Sequence, residues 1–225
     1  LLAKDNFMSG TIKGQLGERG PDYDFGSSPQ LVEAAGGKAL LITGNKSSIV
    51  YAMDPDSGKP VWASPKLGSG GASGGVEWGP AIDGRTVYAP LADFPGRGRP
   101  GLAALDAASG KLLWQVDAPK GQACNVPSGR CLPGYSQAAT AIPGAVLSGA
   151  LDGHLRAYAA ADGKLIWDYD TTAPIDTVNG IKGAPGGALD MGGPTVAGGM
   201  LFIHSGYNGT AGAANLLLAF SLDGK

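Results

Sequence analysis

The stretch Ile49-Val-Tyr-Ala-Met-Asp-Pro-Asp-Ser-Gly-Lys-Pro-Val-Trp62 decides the fold, because related segments return along the chain. They occupy positions 102–114 and 155–167, and a shorter one occupies positions 217–225. Their common Gly-Lys pairs begin at residues 58, 110, 163 and 224, so the steps are 52, 53 and 61 residues long. Four-stranded propeller blades repeat at roughly 40 to 50 residues, whereas helical repeats are shorter and carry a 3.6-residue apolar rhythm that is absent here.

Short apolar runs separated by glycine, proline and aspartate turns group into four predicted blades. The predicted strands are 28–34, 38–44, 49–54 and 60–64 in the first blade; 76–82, 86–92, 102–106 and 111–117 in the second; 137–142, 145–150, 154–159 and 164–170 in the third; and 193–197, 200–205 and 216–222 in the fourth. We expect an all-β fold in which residues 1–225 form one partial β-propeller domain of about four blades. The expected blade bounds are approximately 28–64, 76–117, 137–170 and 193–222.

Charge and hydropathy argue against a nucleic-acid partner and a transmembrane segment. The formal net charge is −2 and the pI is near 5.6, and no basic residues cluster into a face that could bind phosphates. No apolar run approaches the roughly 18 residues of a membrane span. The N-terminal Leu1-Leu-Ala-Lys-Asp5 also lacks the apolar core of a signal peptide.

The repeat pattern predicts that the chain works together with further blades. Residues 1–24 precede the first predicted strand without beginning a repeat, and the fourth predicted blade lacks a last strand. Because each face of a propeller sheet needs a neighbour, four blades alone would leave two apolar faces uncovered. We therefore expect a companion segment that carries upstream blades or, failing that, a homodimer.

The two cysteines, Cys124 and Cys131, are separated by six residues in a Gly/Pro-rich insertion. A local disulfide that stiffens this loop is the favoured interpretation, and it indicates an oxidising compartment. Two free thiols are the alternative. A structural metal is disfavoured because neither histidine of the chain, His154 or His204, is close to the pair in sequence.

Motifs of the common hydrolases and nucleotide-binding enzymes are absent from the sequence. There is no Gly-x-Ser-x-Gly elbow, no Walker loop and no His-Glu-x-x-His. His204 stands beside Ser205 on a predicted strand, but a lone strand histidine is more often a packed or pore-facing residue than a hydrolase base. Any chemistry would have to come from a cofactor.

The repeat resembles the blade motif of the pyrroloquinoline-quinone-dependent alcohol dehydrogenases. The segments that sharpen the match are Asp22-Tyr-Asp-Phe-Gly-Ser-Ser-Pro-Gln-Leu31, Thr43-Gly-Asn-Lys-Ser-Ser-Ile-Val-Tyr51, Gly74-Gly-Val-Glu-Trp-Gly-Pro80, the run 142–158, and Ala188-Leu-Asp-Met-Gly-Gly-Pro194. The resemblance is greatest to the polyvinyl-alcohol-dehydrogenase-like branch and covers nearly the whole chain. Family members are eight-bladed, so the chain is similar to their C-terminal half. The resemblance implies that the chain forms propeller blades of the quinoprotein alcohol dehydrogenase type.

The resemblance implies that pyrroloquinoline quinone (PQQ) lies near the propeller axis, oxidises an alcohol carbon and passes electrons to a cytochrome. Lys46 falls where the family places a basic side chain against the quinone oxygens, and a cation there would stabilise negative charge on the cofactor. A solvated turn lysine is the other interpretation. Glu77-Trp78 matches the family's Asn-Trp pair at the cofactor pocket, with Glu in place of Asn. Trp78 could equally pack between blades.

The catalytic acid and the metal ligands stay unassigned at this point. In the family the general base is an aspartate upstream of the Asp-Phe-Gly motif, and the Ca²⁺ ligands lie mainly upstream too. The chain is expected to start after them. Asp22 and Asp24 could face the central funnel, although aspartate is also common in the turn before a strand. Three tryptophans that close the repeats are instead expected to pack between blades: Trp62, Trp114 and Trp167.

Two functions from different classes follow from the sequence. In the first, the chain is part of a periplasmic or secreted quinoprotein dehydrogenase that uses PQQ to oxidise an alcohol. Secondary and polymeric alcohols are among the expected substrates. Ca²⁺ in the complete protein and a cytochrome c acceptor belong to that hypothesis. The alternative is a non-catalytic periplasmic propeller that serves as a protein-binding scaffold. Lys46, Glu77 and Trp78 favour the first, whereas the lack of the upstream acid favours the second.

Overall fold

The computed structural model of the protein describes residues 23–34, 37–93, 98–121, 125–126, 131–207 and 212–223. These ranges contain short strands, turns and loops and no helix. The strands are β1 (Gln30–Ala34), β2 (Lys38–Asn45), β3 (Ile49–Met53), β4 (Pro60–Ala63), β5 (Ala81–Ile82), β6 (Thr86–Leu91), β7 (Gly101–Asp106), β8 (Leu112–Asp117), β9 (Thr140–Ile142), β10 (Ala145–Gly149), β11 (His154–Ala159), β12 (Leu165–Asp170), β13 (Thr195–Ala197), β14 (Met200–Ser205) and β15 (Leu216–Ser221). The predicted all-β fold is confirmed.

The strands form four antiparallel sheets, and in each sheet hydrogen-bonded neighbours follow one another along the chain. The sheets are β1–β4, β5–β8, β9–β12 and β13–β15, and they are numbered blades 1 to 4 below. Blades 1 to 3 have four strands and blade 4 has three among the described residues, as the sequence predicts. This up-and-down meander is the topology of a propeller blade.

The buried apolar side chains lie between successive sheets, which is where a propeller has its core. One cluster joins blades 1 and 2 and includes Leu40, Ile42, Val50, Val87, Leu91 and Leu105. A second joins blades 2 and 3 and includes Tyr88, Leu102, Tyr135, Val146 and Tyr158. A third joins blades 3 and 4 and includes Leu155, Leu189 and Ile203.

Two features of the structure favour glycine in the Gly-Lys pair: the backbone conformation of its turn and, in blades 2 and 3, the close packing of the preceding blade. Gly58, Gly110 and Gly163 have φ angles of 68°, 70° and 72°, in the left-handed region that favours glycine. A Cβ at Gly110 would collide with the ring of Trp62 in blade 1, and one at Gly163 would collide with Trp114 in blade 2. At Gly110 and Gly163 the lack of a side chain therefore lets the tryptophan of the preceding blade pack against the turn.

The repeated tryptophans connect each blade to the next. Trp62 donates its indole N–H to the carbonyl of Ala107 at 3.1 Å, and Trp114 donates to the carbonyl of Ala160 at 3.0 Å. Trp167 packs edge-on against Phe220 of blade 4, with ring centroids 5.6 Å apart. The predicted packing role of the three tryptophans is confirmed.

The first strands of the blades are shorter than predicted. β5, β9 and β13 begin at residues 81, 140 and 195, whereas the sequence pattern places their starts at 76, 137 and 193. The preceding residues bond across to a neighbouring blade instead of pairing within their own sheet. Val76 donates its N–H to Asn45 at 3.1 Å, and Ala138 donates to Met191 at 2.9 Å. The candidate site lies among these interblade segments.

Candidate functional site

A backbone hydrogen bond recurs at one end of all four blades and sets the register of the site. It joins a residue just after the second strand to a carbonyl ahead of the first strand: Lys46 to Asp24 (3.2 Å), Ala92 to Gly75 (3.0 Å), Leu151 to Gly134 (2.9 Å) and Gly206 to Ala188 (3.0 Å). The residues two positions after those carbonyls are Gly26, Glu77, Ser136 and Asp190. The repeat therefore brings these four positions to corresponding places in successive blades.

Lys46 lies in the turn between β2 and β3 and carries the cation of the site. Its ammonium is 2.9 Å from a carboxylate oxygen of Asp24, and its side chain is only 15% exposed while that of Asp24 is 58% exposed. Asn45 fixes the turn: its side-chain oxygen accepts the N–H of Ser47 at 3.1 Å, and its amide donates to the carbonyl of Tyr23 at 3.2 Å. Lys46 is thus a largely covered, positioned cation, unlike a solvated turn lysine.

Glu77, Ser136 and Asp190 form a continuous polar line across blades 2, 3 and 4. The Ser136 hydroxyl oxygen is 2.8 Å from Glu77 Oε2 and 2.5 Å from Asp190 Oδ1. Asp190 Oδ1 also accepts the backbone N–H of Met191 at 2.8 Å. Three residues far apart in sequence therefore meet through one serine hydroxyl.

The surroundings of Glu77 shift the pKa of its carboxyl group. Burial raises the pKa of Glu77 above its ordinary value. The hydrogen bond with Ser136 and the charge of Lys46 lower that pKa, while the charges of Asp190 and Asp24 raise it, and the net direction is upward. The site thus combines a largely covered cation with a carboxyl group whose pKa is raised.

Trp78 contributes a buried donor without a partner. Its indole nitrogen is buried and has no hydrogen-bond partner among the described residues. Gly26 allows the close approach of this segment, since a Cβ there would lie 2.6 Å from the Glu77 carbonyl oxygen and 3.8 Å from the Trp78 ring. A buried donor of this kind is explained by a ligand or by water.

The structure brings together Lys46, Glu77 and the open candidate Asp24, which are electrostatically coupled. Asp22 lies outside the described residues. The sequence interpretation missed Ser136 and Asp190, although both carry a readable signal, namely the fixed position ahead of the first strand in successive blades. Within the ranges that the structure describes, no group of three or more His, Cys, Asp or Glu residues could hold a metal ion.

The remaining sequence hypotheses concern His204 and the cysteines. His204 stacks edge-on with Tyr207, and the hydroxyl of its neighbour Ser205 bonds to Thr171 and to the Gly187 carbonyl, so no Ser–His pair is formed. No free cysteine is found in the described part of the chain. Cys124 lies outside the described residues, and its pairing with Cys131 stays a prediction. The described ranges also contain no helix long and apolar enough to cross a membrane.

Comparison with known proteins places the repeat in a family. The family model PQQ_2, described as outer membrane protein assembly factor BamB, matches residues 46–180, which is more than half of the chain. The chain belongs to the PQQ_2 propeller family. The matched region runs from the candidate cation Lys46 to a point beyond β12.

Among curated proteins, two polyvinylalcohol dehydrogenases are similar to this chain. The protein from Sphingopyxis sp. (strain 113P3) is 41% identical over 250 aligned positions, which cover 100% of this chain and 38% of the relative. The protein from Pseudomonas sp. is 43% identical over 219 positions, covering 92% of this chain and 34% of the relative. The chain thus spans between a third and two fifths of the length of these relatives, and the predicted resemblance to this branch is confirmed.

A solved structure supports the fold of this PQQ_2 chain. The quinohemoprotein alcohol dehydrogenase from Comamonas testosteroni superposes with a TM-score of 0.62 at 18% identity, covering 91% of this chain and 34% of that one. At that identity the likeness concerns the fold alone. It agrees with the four consecutive blades described above.

Proposed function

We propose that the chain is part of a quinoprotein dehydrogenase that oxidises alcohols with bound PQQ. The observation that carries this proposal is the interblade site, in which the largely covered Lys46 interacts with Glu77, whose pKa is raised, and the buried Trp78 indole N–H has no hydrogen-bond partner among the described residues. The 41% and 43% identity to polyvinylalcohol dehydrogenases supports it. The substrate class inferred from these relatives is a secondary or polymeric alcohol.

The residues present fit an anionic quinone. Lys46 offers a cation that would bind quinone or carboxylate oxygens through charge-assisted hydrogen bonds. The Trp78 indole N–H offers an additional donor. An ionised Glu77 would repel the carboxylates of PQQ, so the upward shift of its pKa favours binding.

The residues of the chain would act by positioning and by charge. When bound, PQQ supplies the acceptor for two electrons from the alcohol carbon. Lys46 would stabilise negative charge on a bound quinone, because a fixed cation in a largely covered place needs little reorganisation. Asp24 orients the Lys46 ammonium through the 2.9 Å ion pair. The general base and the Ca²⁺ ligands, which the resemblance places upstream, would come from another segment.

The proposal includes partners that complete the site. Further blades, on a companion segment or on a second copy of this chain, would cover the free faces of blades 1 and 4. A cytochrome c would take up the electrons, and the protein would work in the periplasm or outside the cell. Light scattering after size-exclusion chromatography distinguishes these arrangements, and a compact monomer of the 22.5 kDa chain would contradict both.

The activity is tested on the intact protein, that is, this chain together with the segments that complete the site, after its cofactor has been removed. Oxidation of polyvinyl alcohol and of short secondary alcohols is followed with an artificial electron acceptor, with and without added PQQ and Ca²⁺. We expect oxidation that depends on added PQQ. Folded protein that shows no PQQ-dependent oxidation of any alcohol would contradict the proposal.

The second candidate function is a non-catalytic scaffold, and the description of the matching family model favours it. Edge strands such as β4, β8 and β12 would then offer their backbone groups to partner proteins. The quinone distinguishes the two functions. A scaffold would not bind PQQ at the interblade site, and replacing Lys46 would leave its partner binding unchanged.

A further inference from the structure

Ser136 stands between two carboxyl groups but has only one proton to donate. Its hydroxyl oxygen is 2.8 Å from Glu77 Oε2 and 2.5 Å from Asp190 Oδ1, so both contacts are within hydrogen-bond distance. An ionised carboxylate can only accept hydrogen bonds. If both acids were ionised, one of the two contacts would join two acceptors. A proton on one of the acids resolves this conflict.

The geometry indicates which of the two acids carries the proton. The shorter contact, to Asp190, matches a hydroxyl that donates to an ionised carboxylate, for which about 2.5 to 2.7 Å is usual. The same Asp190 oxygen also accepts the N–H of Met191 at 2.8 Å, so it is an acceptor in both contacts. The longer contact matches a neutral acid that donates to the lone pair of Ser136.

We propose that the carboxyl groups of Glu77 and Asp190 share one proton, in addition to the hydroxyl proton of Ser136, and that Glu77 enters the candidate site as a neutral carboxylic acid that donates to Ser136. The hydrogen bonds then run in one direction, from Glu77 to Ser136 to Asp190. The other charged groups near Glu77 are Lys46 and Asp24, which pair with each other and shift the pKa of Glu77 in opposite directions.

A neutral Glu77 changes what the site can bind. A carboxylic acid offers one donor and one acceptor side by side, as a side-chain amide does, and adds no negative charge. It could therefore exchange hydrogen bonds with an anionic quinone without repelling it. This consequence rests on the proposed function, whereas the shared proton does not.

The shared proton is tested first in cofactor-free intact protein, by isotope-edited infrared spectroscopy with labelled glutamate. At neutral pH we expect a carbonyl band of a protonated carboxyl group that disappears in Glu77→Gln. Glu33→Gln is the matched control, because Glu33 is an exposed glutamate, and the band should remain in that variant. Absence of the band in the wild-type protein, or its persistence in Glu77→Gln, would overturn the proposal.

The consequence for binding is tested by the pH dependence of PQQ affinity. If only neutral Glu77 admits the cofactor, the dissociation constant rises about tenfold per pH unit above the pKa of Glu77. The dissociation constant of Glu77→Gln should not show this rise. Protonation of PQQ itself is the same in both experiments, so it cannot account for a difference between the two proteins. Asp190→Asn should move the midpoint to lower pH, because it removes a charge that raises the pKa of Glu77.

The outcomes separate this inference from the proposed function. If PQQ binds and the wild type and Glu77→Gln show the same pH dependence, the neutral role of Glu77 at the ligand is wrong while the quinone site stands. If PQQ binds neither protein at any pH, the proposed function fails, and the infrared band alone decides whether the proton is shared.

Discussion

The guanidinium of Arg156 lies 2.8 Å from the carboxylate of Asp152, and neither side chain is exposed by more than 2%. A second carboxylate, that of Asp168, is 3.2 Å from the Arg156 Nε atom and 2.6 Å from His154 Nδ1. Blade 3 therefore contains a largely buried ionic network. A buried charge that loses its partner is costly, because water cannot replace that partner.

Arg156→Met should lower the free energy of unfolding by about 3 to 5 kcal/mol, since it leaves the Asp152 carboxylate buried without its cation. Denaturant unfolding of the intact protein measures this change. Arg99→Met is the matched control, because the Arg99–Asp117 pair is 61% and 45% exposed and should cost less than about 1 kcal/mol. Equal losses in the two variants would show that the blade 3 network is not intact in solution.

Trp114→Phe should lower the free energy of unfolding by about 1 to 3 kcal/mol, because the Ala160 carbonyl loses its indole donor and the gap over Gly163 is no longer filled. Cofactor affinity should stay unchanged, since the ring connects blades 2 and 3 away from Lys46. Thermal unfolding and PQQ titration of the same samples provide both readouts. A variant that loses affinity but keeps its stability would reverse the assigned roles.

Asp93 should make the protein lose stability in acid. Burial raises the pKa of this carboxyl group, but backbone N–H groups, including those of Ser69, Arg99 and Gly70, outweigh burial and lower it. A depressed folded-state pKa gives stabilisation that is complete above the unfolded value of about 3.9 and is lost as the pH falls through the folded value.

Asp93→Asn tests this pH dependence. The variant should be about 1 to 3 kcal/mol less stable than the wild type at neutral pH, and the difference should shrink below about pH 4. Asparagine tolerates the φ angle of 44° at this position, so backbone strain would not cause the loss of stability. Asp56→Asn, an exposed aspartate in a turn, should change little at any pH. A difference that stays constant into acid would contradict the role of the charge.

Cys124 and Cys131 should form a disulfide in protein isolated from an oxidising compartment. Mass spectrometry after alkylation without reduction should detect no labelled thiol, and reduction before alkylation should expose both. Two labelled thiols in the unreduced sample would disprove the pairing and weaken the extracytoplasmic assignment.

The sequence was sufficient for the blades but only partly for the site. The repeated Gly-Lys and Trp positions predict four sheets in chain order, because one glycine turn and one interblade tryptophan recur with the same period. The resemblance points to Lys46 and Glu77 as candidate site residues. Ser136 and Asp190 occupy a recurring position ahead of the first strand, but that position does not predict their contact, because contacts between residues 54 positions apart depend on how neighbouring blades pack. For the same reason the first strands are shorter than their apolar pattern suggests.

The most direct test of the quinone site is an absorbance titration of the intact, cofactor-free protein with PQQ in the presence of Ca²⁺, comparing the wild type, Lys46→Ala and Lys66→Ala. Lys66 is an exposed lysine and serves as the control. We predict saturable binding that Lys46→Ala weakens by roughly 10- to 150-fold, the equivalent of about 1.5 to 3 kcal/mol for a charge-assisted contact, and that Lys66→Ala leaves unchanged. Equal affinity in all three proteins, or no saturable binding to the folded wild type, would contradict the assignment of this interblade site to the quinone.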